Sequence, residues 1–245
     1  MALLKERLAN PILILFMNSD NNDLSNLFTL MFQAHPWHGV STGENAPDFV
    51  NVFVEIVPND NIKYELDKPS GRLRIDRPQR FSSLCPLPYG FVPQTFCGDQ
   101  TALFCMEKTG QTGIRGDGDP LDICVLTETT MAHGNFLLKA KPIGGLRMID
   151  KHEADDKIIA VLADDITFGN LSDISECPPG QIERLRHYFL TYKQLPTERE
   201  RFVEITDVYG RDEAFEVIRR SQIDYRAKFG APEKRLSELK QLLQS

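Results

Sequence analysis

Short apolar segments separated by turn residues run through the middle of the chain. Apolar side chains occupy every second position of residues 50–56, the period of a half-buried strand. Further short strands are predicted at 63–66, 72–76, 121–126, 136–143, 146–149 and 158–162. Residues 86–118 are rich in Gly, Pro and Thr and are predicted to be largely loop. Short strands with frequent turn signals favour a small closed barrel over a βαβ sheet.

Helical periodicity gathers at the C-terminal end. Residues 181–194 and 212–229 are predicted helices, the first ending before Pro196, and a third follows Pro232 with Leu236, Leu239 and Leu243 on one side. Near the start, Asp23 is a candidate cap for a short amphipathic helix. Strands followed by helices indicate an α+β fold with a mainly β core. We expect an N-terminal extension (1–34), a barrel domain with flanking helices (35–230) and a C-terminal helix (231–245).

Composition narrows the class of protein. The chain has 245 residues and a net charge of −7, which argues against an overall basic surface for duplex DNA. Hydrophobic residues make up 41% and charged residues 26%, as in globular domains. No apolar run approaches the ~18 residues of a membrane span. The short run at 12–17 lacks a cleavage site, so a signal peptide is disfavoured and a cytoplasmic location is predicted. The five scattered cysteines form no CxxC pair and suit a reducing compartment.

An acidic motif is the sharpest chemical feature. Residues 116–122 read Gly-Asp-Gly-Asp-Pro-Leu-Asp, just before an apolar strand. Carboxylates this close repel one another unless a cation intervenes, and their oxygens suit Mg²⁺, Mn²⁺ or Ca²⁺ better than zinc or copper. An exposed acidic turn is the alternative for the motif alone. An EF-hand is disfavoured, because Leu121 would take its fifth position and Asp122 would replace the glycine at its sixth.

A second acidic cluster, residues 150–157, also lies between two predicted strands. Alone it is typical of a solvated loop, but together with the first cluster it could complete a multi-metal site at one mouth of a barrel. The pair Asp164–Asp165 is expected to be structural. Positive side chains could neutralise phosphate oxygens, and two tyrosines could donate hydroxyl hydrogen bonds, although each taken singly is more often a surface or packing residue. These candidates are Lys63, Arg77, Lys157, Lys193, Tyr89 and Tyr192.

Taken together, the motifs resemble the soluble family I inorganic pyrophosphatases. The D-x-D-P-x-D signature of that family is matched by residues 117–122. Other segments follow in the same order as in the family, and the resemblance covers about residues 35–225. These segments are Val54-Glu55-Ile56, Lys63-Tyr64-Glu65, Asp76-Arg77, Tyr89-Gly90, the spaced set Asp150, Asp155 and Lys157, and Tyr192-Lys193.

The subtype of the resemblance is mixed. Residues 34–38, residues 91–95 and the pair Asp164-Asp165 with Asp173-Ile174 are similar to the longer eukaryotic-type chains, whereas the step from Arg77 to Tyr89 is closer to the short bacterial type. Cys85 stands where the family usually has a tyrosine, which weakens the case for a phosphate contact there. Lys151 stands where it often has a glutamate, which leaves the outer metal site less defined.

The resemblance implies a five-stranded OB-like closed barrel with flanking helices that hydrolyses pyrophosphate to two orthophosphates with Mg²⁺. Metal ligands would be Asp117, Asp122, Asp150 and Asp155, and Asp119 would orient the attacking water and accept its proton. Phosphate oxygens would be bound by Lys63, Arg77, Tyr89, Lys157, Tyr192 and Lys193, with Glu55 and Glu65 in support. A homo-oligomer is expected, with no nucleic acid or membrane partner.

Three other functions compete with this interpretation. OB barrels often bind single-stranded nucleic acid through aromatic faces and a basic groove, but the candidate mouth here is crowded with carboxylates. A different Mg²⁺-dependent phosphohydrolase acting on nucleotides is the second. A catalytically weakened relative with a binding role is the third, and the full set of matched acids argues against it.

Overall fold

The structure is a computed structural model that describes residues 34–80, 82–193 and 203–231, together with Lys234 and Gln241. Its strands are β1 (Val50–Ile56), β2 (Ile62–Asp67), β3 (Arg72–Pro78), β4 (Tyr89–Phe91), β5 (Arg115–Gly116), β6 (Asp122–Leu126), β7 (Phe136–Asp150), β8 (Glu153–Ala154), β9 (Lys157–Leu162) and β10 (Val203–Gly210). Its α-helices are α1 (Asp99–Thr109), α2 (Pro179–Thr191) and α3 (Arg211–Phe229). None of these helices is long and apolar enough to cross a membrane.

Strand pairing produces one large mixed sheet and one separate hairpin. The large sheet runs β1-β4-β6-β9-β7-β8-β5, with β10 paired to β7. Strand β1 also pairs with β7, so that Val50–Val54 of β1 lie opposite Ala140–Phe136 of β7. Only β5–β8 and β6–β9 are parallel among the pairings of the described strands. The antiparallel hairpin β2–β3 stands apart as a two-stranded sheet. The mixed α+β class predicted from the sequence is therefore confirmed.

Strand β7 differs from the prediction of two strands, 136–143 and 146–149. It is a single strand of 15 residues with an irregularity between Pro142 and Gly144. The Gly144–Gly145 pair, which lies between the two predicted strands, serves close packing. A Cβ added to Gly145 would lie 2.4 Å from the Tyr209 ring, and one added to Gly144 would lie 2.5 Å from the Tyr209 carbonyl oxygen. The absent side chains let β10 lie directly against β7.

Helix α1 corrects the prediction that residues 86–118 are largely loop, since no helix was predicted there. Its eleven residues begin after Gly98 and end at Gly110, which adopts a left-handed conformation. Helices α2 and α3 agree with the predicted helices to within a few residues. The predicted helix after Asp23 and the predicted C-terminal helix after Pro232 lie outside the ranges that the structure describes.

The helices cover two sides of the sheet, and a hydrophobic cluster lies under each. One cluster joins β6, β7 and β9 to α2 through residues that include Leu146, Leu185 and Phe189. The other joins β1, β6 and β9 to α3 and includes Val217 and Ile218. All five cysteines are buried with free thiols. The buried strands thus provide a rigid base for the loops that carry the acidic residues.

Candidate active site

The two acidic clusters meet in one open cleft with a volume of about 190 Å³. Its walls come from β1, the β2–β3 hairpin, the loop before β6, the ends of β7, β8 and β9, and the residues after α2. Eight carboxyl groups and four lysines line it. The carboxyl groups belong to Glu55, Glu65, Asp117, Asp119, Asp122, Asp150, Glu153 and Asp155, and the lysines are Lys63, Lys68, Lys157 and Lys193.

The acid loop, residues 116–122, presents three aspartates to the cleft. Asp117 turns back on the loop, since its Oδ1 accepts a hydrogen bond of 2.9 Å from the backbone N–H of Asp119. Burial, and then the negative charges of Asp155 and Asp122, raise the pKa of Asp117 well above its usual range. The site therefore disfavours the ionised form of Asp117 unless positive charge is brought near it.

Lys157 joins the two acidic clusters. Its Nζ donates to Asp122 Oδ2 and to Asp155 Oδ1, and its side chain is only 1% exposed. Burial disfavours the charged ammonium, but the attraction of Asp122 and Asp155 outweighs it and holds the pKa of Lys157 well above its usual range. The parallel pairing of β6 with β9 sets Asp122 beside Lys157. Lys157 is therefore a fixed positive charge at the base of the cleft.

Two further lysines pair with aspartates at the rim. Lys68, in the turn between β2 and β3, reaches Asp119 Oδ1 and lies 5.9 Å from the centre of the Trp37 ring. Its carbonyl oxygen lies 2.9 Å from His35 Nε2, which anchors the turn. Lys193 donates to Asp150 Oδ2 at 2.5 Å. Both lysines are more than 40% exposed, so these pairs are open to solvent and to ligands.

The β2–β3 hairpin carries the remaining basic candidates. Lys63 and Arg77 face each other in the ladder, and both donate to Asp76 Oδ2, at 3.0 and 2.5 Å. Lys63 lines the cleft, whereas Arg77 does not. The Nη2 atom of Arg77 is buried and has no hydrogen-bond partner in the described part of the chain. A spare donor of this kind suits a group that arrives from outside the protein.

Glu55 and Tyr89 form the inner wall. Glu55 Oε1 accepts a hydrogen bond of 2.7 Å from the N–H of Leu66 and so ties β2 to β1. Burial, and then the charge of Asp122, raise the pKa of Glu55 to about 8. The Tyr89 hydroxyl donates to Asp122 Oδ2 at 2.5 Å. Burial and Asp122 raise its pKa well above the usual range, so the hydroxyl stays a donor.

The chemistry of the cleft fits hard divalent cations. Its candidate ligands are carboxylate oxygens, which Mg²⁺ prefers, and eight carboxyl groups stand against only four lysines. Asp150 Oδ1 is buried and unpartnered among the described residues. Among the described residues, no three His, Cys, Asp or Glu side chains form a group that could hold a metal ion as they stand. Asp122 and Asp155 are each hydrogen-bonded to Lys157 instead.

The structure brings together all the predicted site residues except Arg77, which lies beside Lys63 at the edge. Tyr192 is both buried against Tyr188 and Phe189 and exposed in part to the cleft, so its packing and site interpretations are compatible. Sequence reasoning missed Lys68 and Glu153 as cleft residues. Glu153 belongs to the second acidic cluster, but Lys68 lies within the turn predicted at residues 67–71 and gave no signal beyond its charge.

Comparison with known proteins gives one consistent family. A family model described as "Inorganic pyrophosphatase" matches residues 52–226. A Chlamydia trachomatis protein named inorganic pyrophosphatase is 49% identical over 196 residues, covering 78% of this chain and 94% of the relative. Soluble inorganic pyrophosphatase 2 of Chlamydomonas reinhardtii is 38% identical, covering 77% and 86%. The crystal structure of inorganic pyrophosphatase from Thermus thermophilus superposes with a TM-score of 0.65 at 28% identity, covering 78% of this chain and 99% of that one.

Proposed function

The chain belongs to the inorganic pyrophosphatase family and is an inorganic diphosphatase; from this premise we propose that it hydrolyses pyrophosphate by a Mg²⁺-activated water. The observation that carries the proposal is the cleft in which eight carboxyl groups surround four lysines, one of them the buried Lys157. Carboxylates can hold the cations, and lysines can hold the phosphate oxygens, so both halves of a metal–pyrophosphate complex find partners there.

Asp117, Asp122 and Asp155 would hold a pair of Mg²⁺ ions, and Asp150 would help to hold a further one. When bound, such ions supply a water of lowered pKa and neutralise phosphate charge. Burial, and then the charges of Asp155 and Asp122, raise the pKa of Asp117, and a bound cation would favour the ionised carboxylate that this environment disfavours. The unpartnered Oδ1 of Asp150 supports the last assignment. Glu55 and Glu65 would support the metal ligands.

Asp119 would orient the attacking water and accept its proton. Its side chain is 45% exposed in the cleft, and its carboxylate is paired only with Lys68 among the described residues. A partly exposed carboxylate next to buried ones is suited to exchange a proton, whereas its neighbours are engaged as ligands. The backbone N–H of Asp119 donates to Asp117 Oδ1, and this bond holds the Asp117 side chain close to Asp119.

The phosphoryl oxygens would be bound from three sides. Lys63 and Arg77 approach from the hairpin, Tyr89 and Lys157 from the base, and Tyr192 and Lys193 from the segment after α2. Lys157 would offset the negative charge that develops on the departing phosphate. The buried, unpartnered Nη2 of Arg77 supports a role in holding an oxygen of the substrate.

We further propose that the sheet is the closed, OB-like barrel expected for this family. The support is the pairing of β1 with both β4 and β7, which makes a ring of β1, β4, β6, β9 and β7. A cytoplasmic location and assembly into a homo-oligomer, without nucleic acid or membrane partners, remain predictions. The same holds for the division into an N-terminal extension, a barrel domain and a C-terminal helix.

A phosphate-release assay tests the function directly. Pyrophosphate, tripolyphosphate and ATP are compared with Mg²⁺ and with a chelator. We expect rapid release from pyrophosphate alone, abolished by the chelator. Equal or faster release from ATP would indicate a nucleotide phosphohydrolase instead. No release from any substrate by the folded protein would indicate a weakened relative with a binding role, and binding to single-stranded oligonucleotides would then be measured.

A further inference from the structure

A buried aspartate that does not line the cleft holds the start of α1. Asp224 lies in α3 and is 5% exposed. Its two carboxylate oxygens accept hydrogen bonds from the backbone N–H groups of Gly98, Gln100 and Thr101, at 3.0, 2.9 and 3.0 Å. The Thr101 hydroxyl adds a fourth bond at 3.2 Å. Asp224 therefore satisfies the free N–H groups at the first turn of α1.

The helix has no cap of its own. Gly98 occupies the N-cap position and has no side chain to accept a hydrogen bond. A carboxylate near the positive end of the helix dipole is favourable as well as a good acceptor. One turn earlier in α3, the Ser221 carbonyl accepts the N–H of Phe96 at 3.0 Å. Helix α3 thus fixes the whole segment from Phe96 to Thr101.

The same segment clamps the acid loop. The N–H of Cys97 donates to the Asp119 carbonyl at 2.8 Å, and the Cys97 carbonyl accepts the N–H of Gly118 at 3.0 Å. Gly116 lies so close that an added Cβ would be 2.2 Å from the Cys97 carbonyl oxygen. Two backbone bonds and one close contact therefore transmit the position of Cys97 to the loop that bears Asp117 and Asp119.

We infer that Asp224 is a positioning residue for hydrolysis: it caps α1 from α3 and, through Cys97, sets the position of the acid loop. The inference rests on the proposed function, since Asp117 and Asp119 are there the metal ligand and the proton acceptor. Displacements of a fraction of an ångström in such groups are costly for turnover. Asp224 does not line the cleft. It would act only through the backbone hydrogen bonds that join Cys97 to the acid loop.

Asp165 provides a matched control for Asp224. It is 8% exposed and also accepts three backbone N–H groups, from Glu128, Thr167 and Phe168, together with one threonine hydroxyl, that of Thr127. Neither Asp165 nor any of its partners lines the cleft. Asp224→Asn and Asp165→Asn therefore remove comparable hydrogen bonds, but only Asp224→Asn affects the segment whose Cys97 is bonded to the acid loop. Asn keeps the size and one acceptor oxygen, so it is milder than Asp224→Ala, which is made as the stronger variant.

The test combines thermal stability, steady-state kinetics and amide hydrogen exchange. We expect both Asn variants to lose stability, and only Asp224→Asn to lose at least ~10-fold in kcat, with KM for pyrophosphate within ~2-fold of the parent. Its Mg²⁺ requirement should also rise. In the metal-free protein, exchange at the N–H of Gly118 should accelerate in Asp224→Asn and stay unchanged in Asp165→Asn. Asp224→Ala should show larger shifts in the same direction.

Each alternative result has one meaning. Normal kcat and normal Gly118 exchange in a destabilised Asp224→Asn would overturn the inference, and so would equal losses of kcat in the two Asn variants. If the parent protein released no phosphate from pyrophosphate, the proposed function would fall. The exchange comparison would still decide whether Asp224 holds the acid loop.

Discussion

Glu55→Gln should change how the stability of the metal-free protein depends on pH. Glu55 is 7% exposed, and burial followed by the charge of Asp122 raises its pKa from 4.5 to about 8. Gln keeps the shape and an oxygen that can accept the N–H of Leu66, now at 2.7 Å from Glu55 Oε1. The variant therefore removes the titration while retaining the bond between β1 and β2.

The direction in which pH changes the stability follows from where the proton is held. Between pH 4.5 and about 8 the folded protein keeps a proton on Glu55 that the unfolded chain has released. The free energy of unfolding therefore falls as pH rises across this range, by about 1.4 kcal/mol per pH unit for this one group. This loss of stability is absent below pH 4.5 and complete above about pH 8, where it totals on the order of 5 kcal/mol.

Urea unfolding of the parent and of Glu55→Gln in chelator, at about pH 5.5 and about pH 7.5, measures the difference. Between these two pH values, we expect the free energy of unfolding of the variant to rise by about 3 kcal/mol relative to that of the parent. Other groups cancel because both proteins contain them. Mg²⁺ should shrink the gain, since positive charge nearby favours the ionised carboxylate. Identical slopes in the two metal-free proteins would show that Glu55 is already ionised in the fold and refute the reasoning.

Four further predictions concern the reaction. Asp119→Asn should bind Mg²⁺ normally but lose at least ~10²-fold in turnover, the scale of a lost proton-transfer group; near-parental turnover would remove its assigned role. Asp117→Asn should mainly raise the Mg²⁺ requirement in a metal titration, because it removes a charged ligand. Arg77→Lys should lower kcat/KM clearly, because an ammonium cannot hold two oxygens as a guanidinium does; unchanged kinetics would place Arg77 away from substrate. Ca²⁺ alone should not support phosphate release and should inhibit the Mg²⁺ reaction, since its bonds of ~2.3–2.6 Å exceed the ~2.0–2.1 Å of Mg²⁺; comparable turnover with Ca²⁺ would contradict a tightly fitted site.

The strands and the acidic motif were predictable because their signals are local. Alternating apolar positions give β1 directly, and residues 116–122 carry their chemistry within one loop. Helix α1 was missed for a physical reason. Its cap comes from Asp224, far along the chain, so Gly98 offers no N-cap signal in the sequence. Strand β7 was predicted as two strands with the Gly144–Gly145 pair between them. The reason for the glycines, close packing against Tyr209, lies on another strand and is not visible locally in the sequence.

The membership of the cleft was predictable only in part. Spacing and resemblance singled out the acids and most of the basic side chains, but neither indicates which turn residue will fold over the site. Lys68 reaches Asp119 because His35 holds the turn and because the hairpin folds over the acid loop. Contacts of this kind depend on the packing of distant segments, and a charged turn residue alone is ordinarily solvated.

The lysine pairs explain how one cleft can hold so many carboxylates and still serve an anionic substrate. A buried charge is costly unless it is paired, and Lys157 provides the pairing for Asp122 and Asp155 at the base. At the rim, Lys68 and Asp119 form a pair that is exposed on both sides and is therefore weak in water, and the half-exposed Lys193 holds the more buried Asp150. An ammonium on a flexible stem can move from a carboxylate to a phosphate oxygen at little cost. Under the proposed function, the rim aspartates would then be released for the water and for cations, while the buried pairs of Lys157 would keep the base of the site fixed.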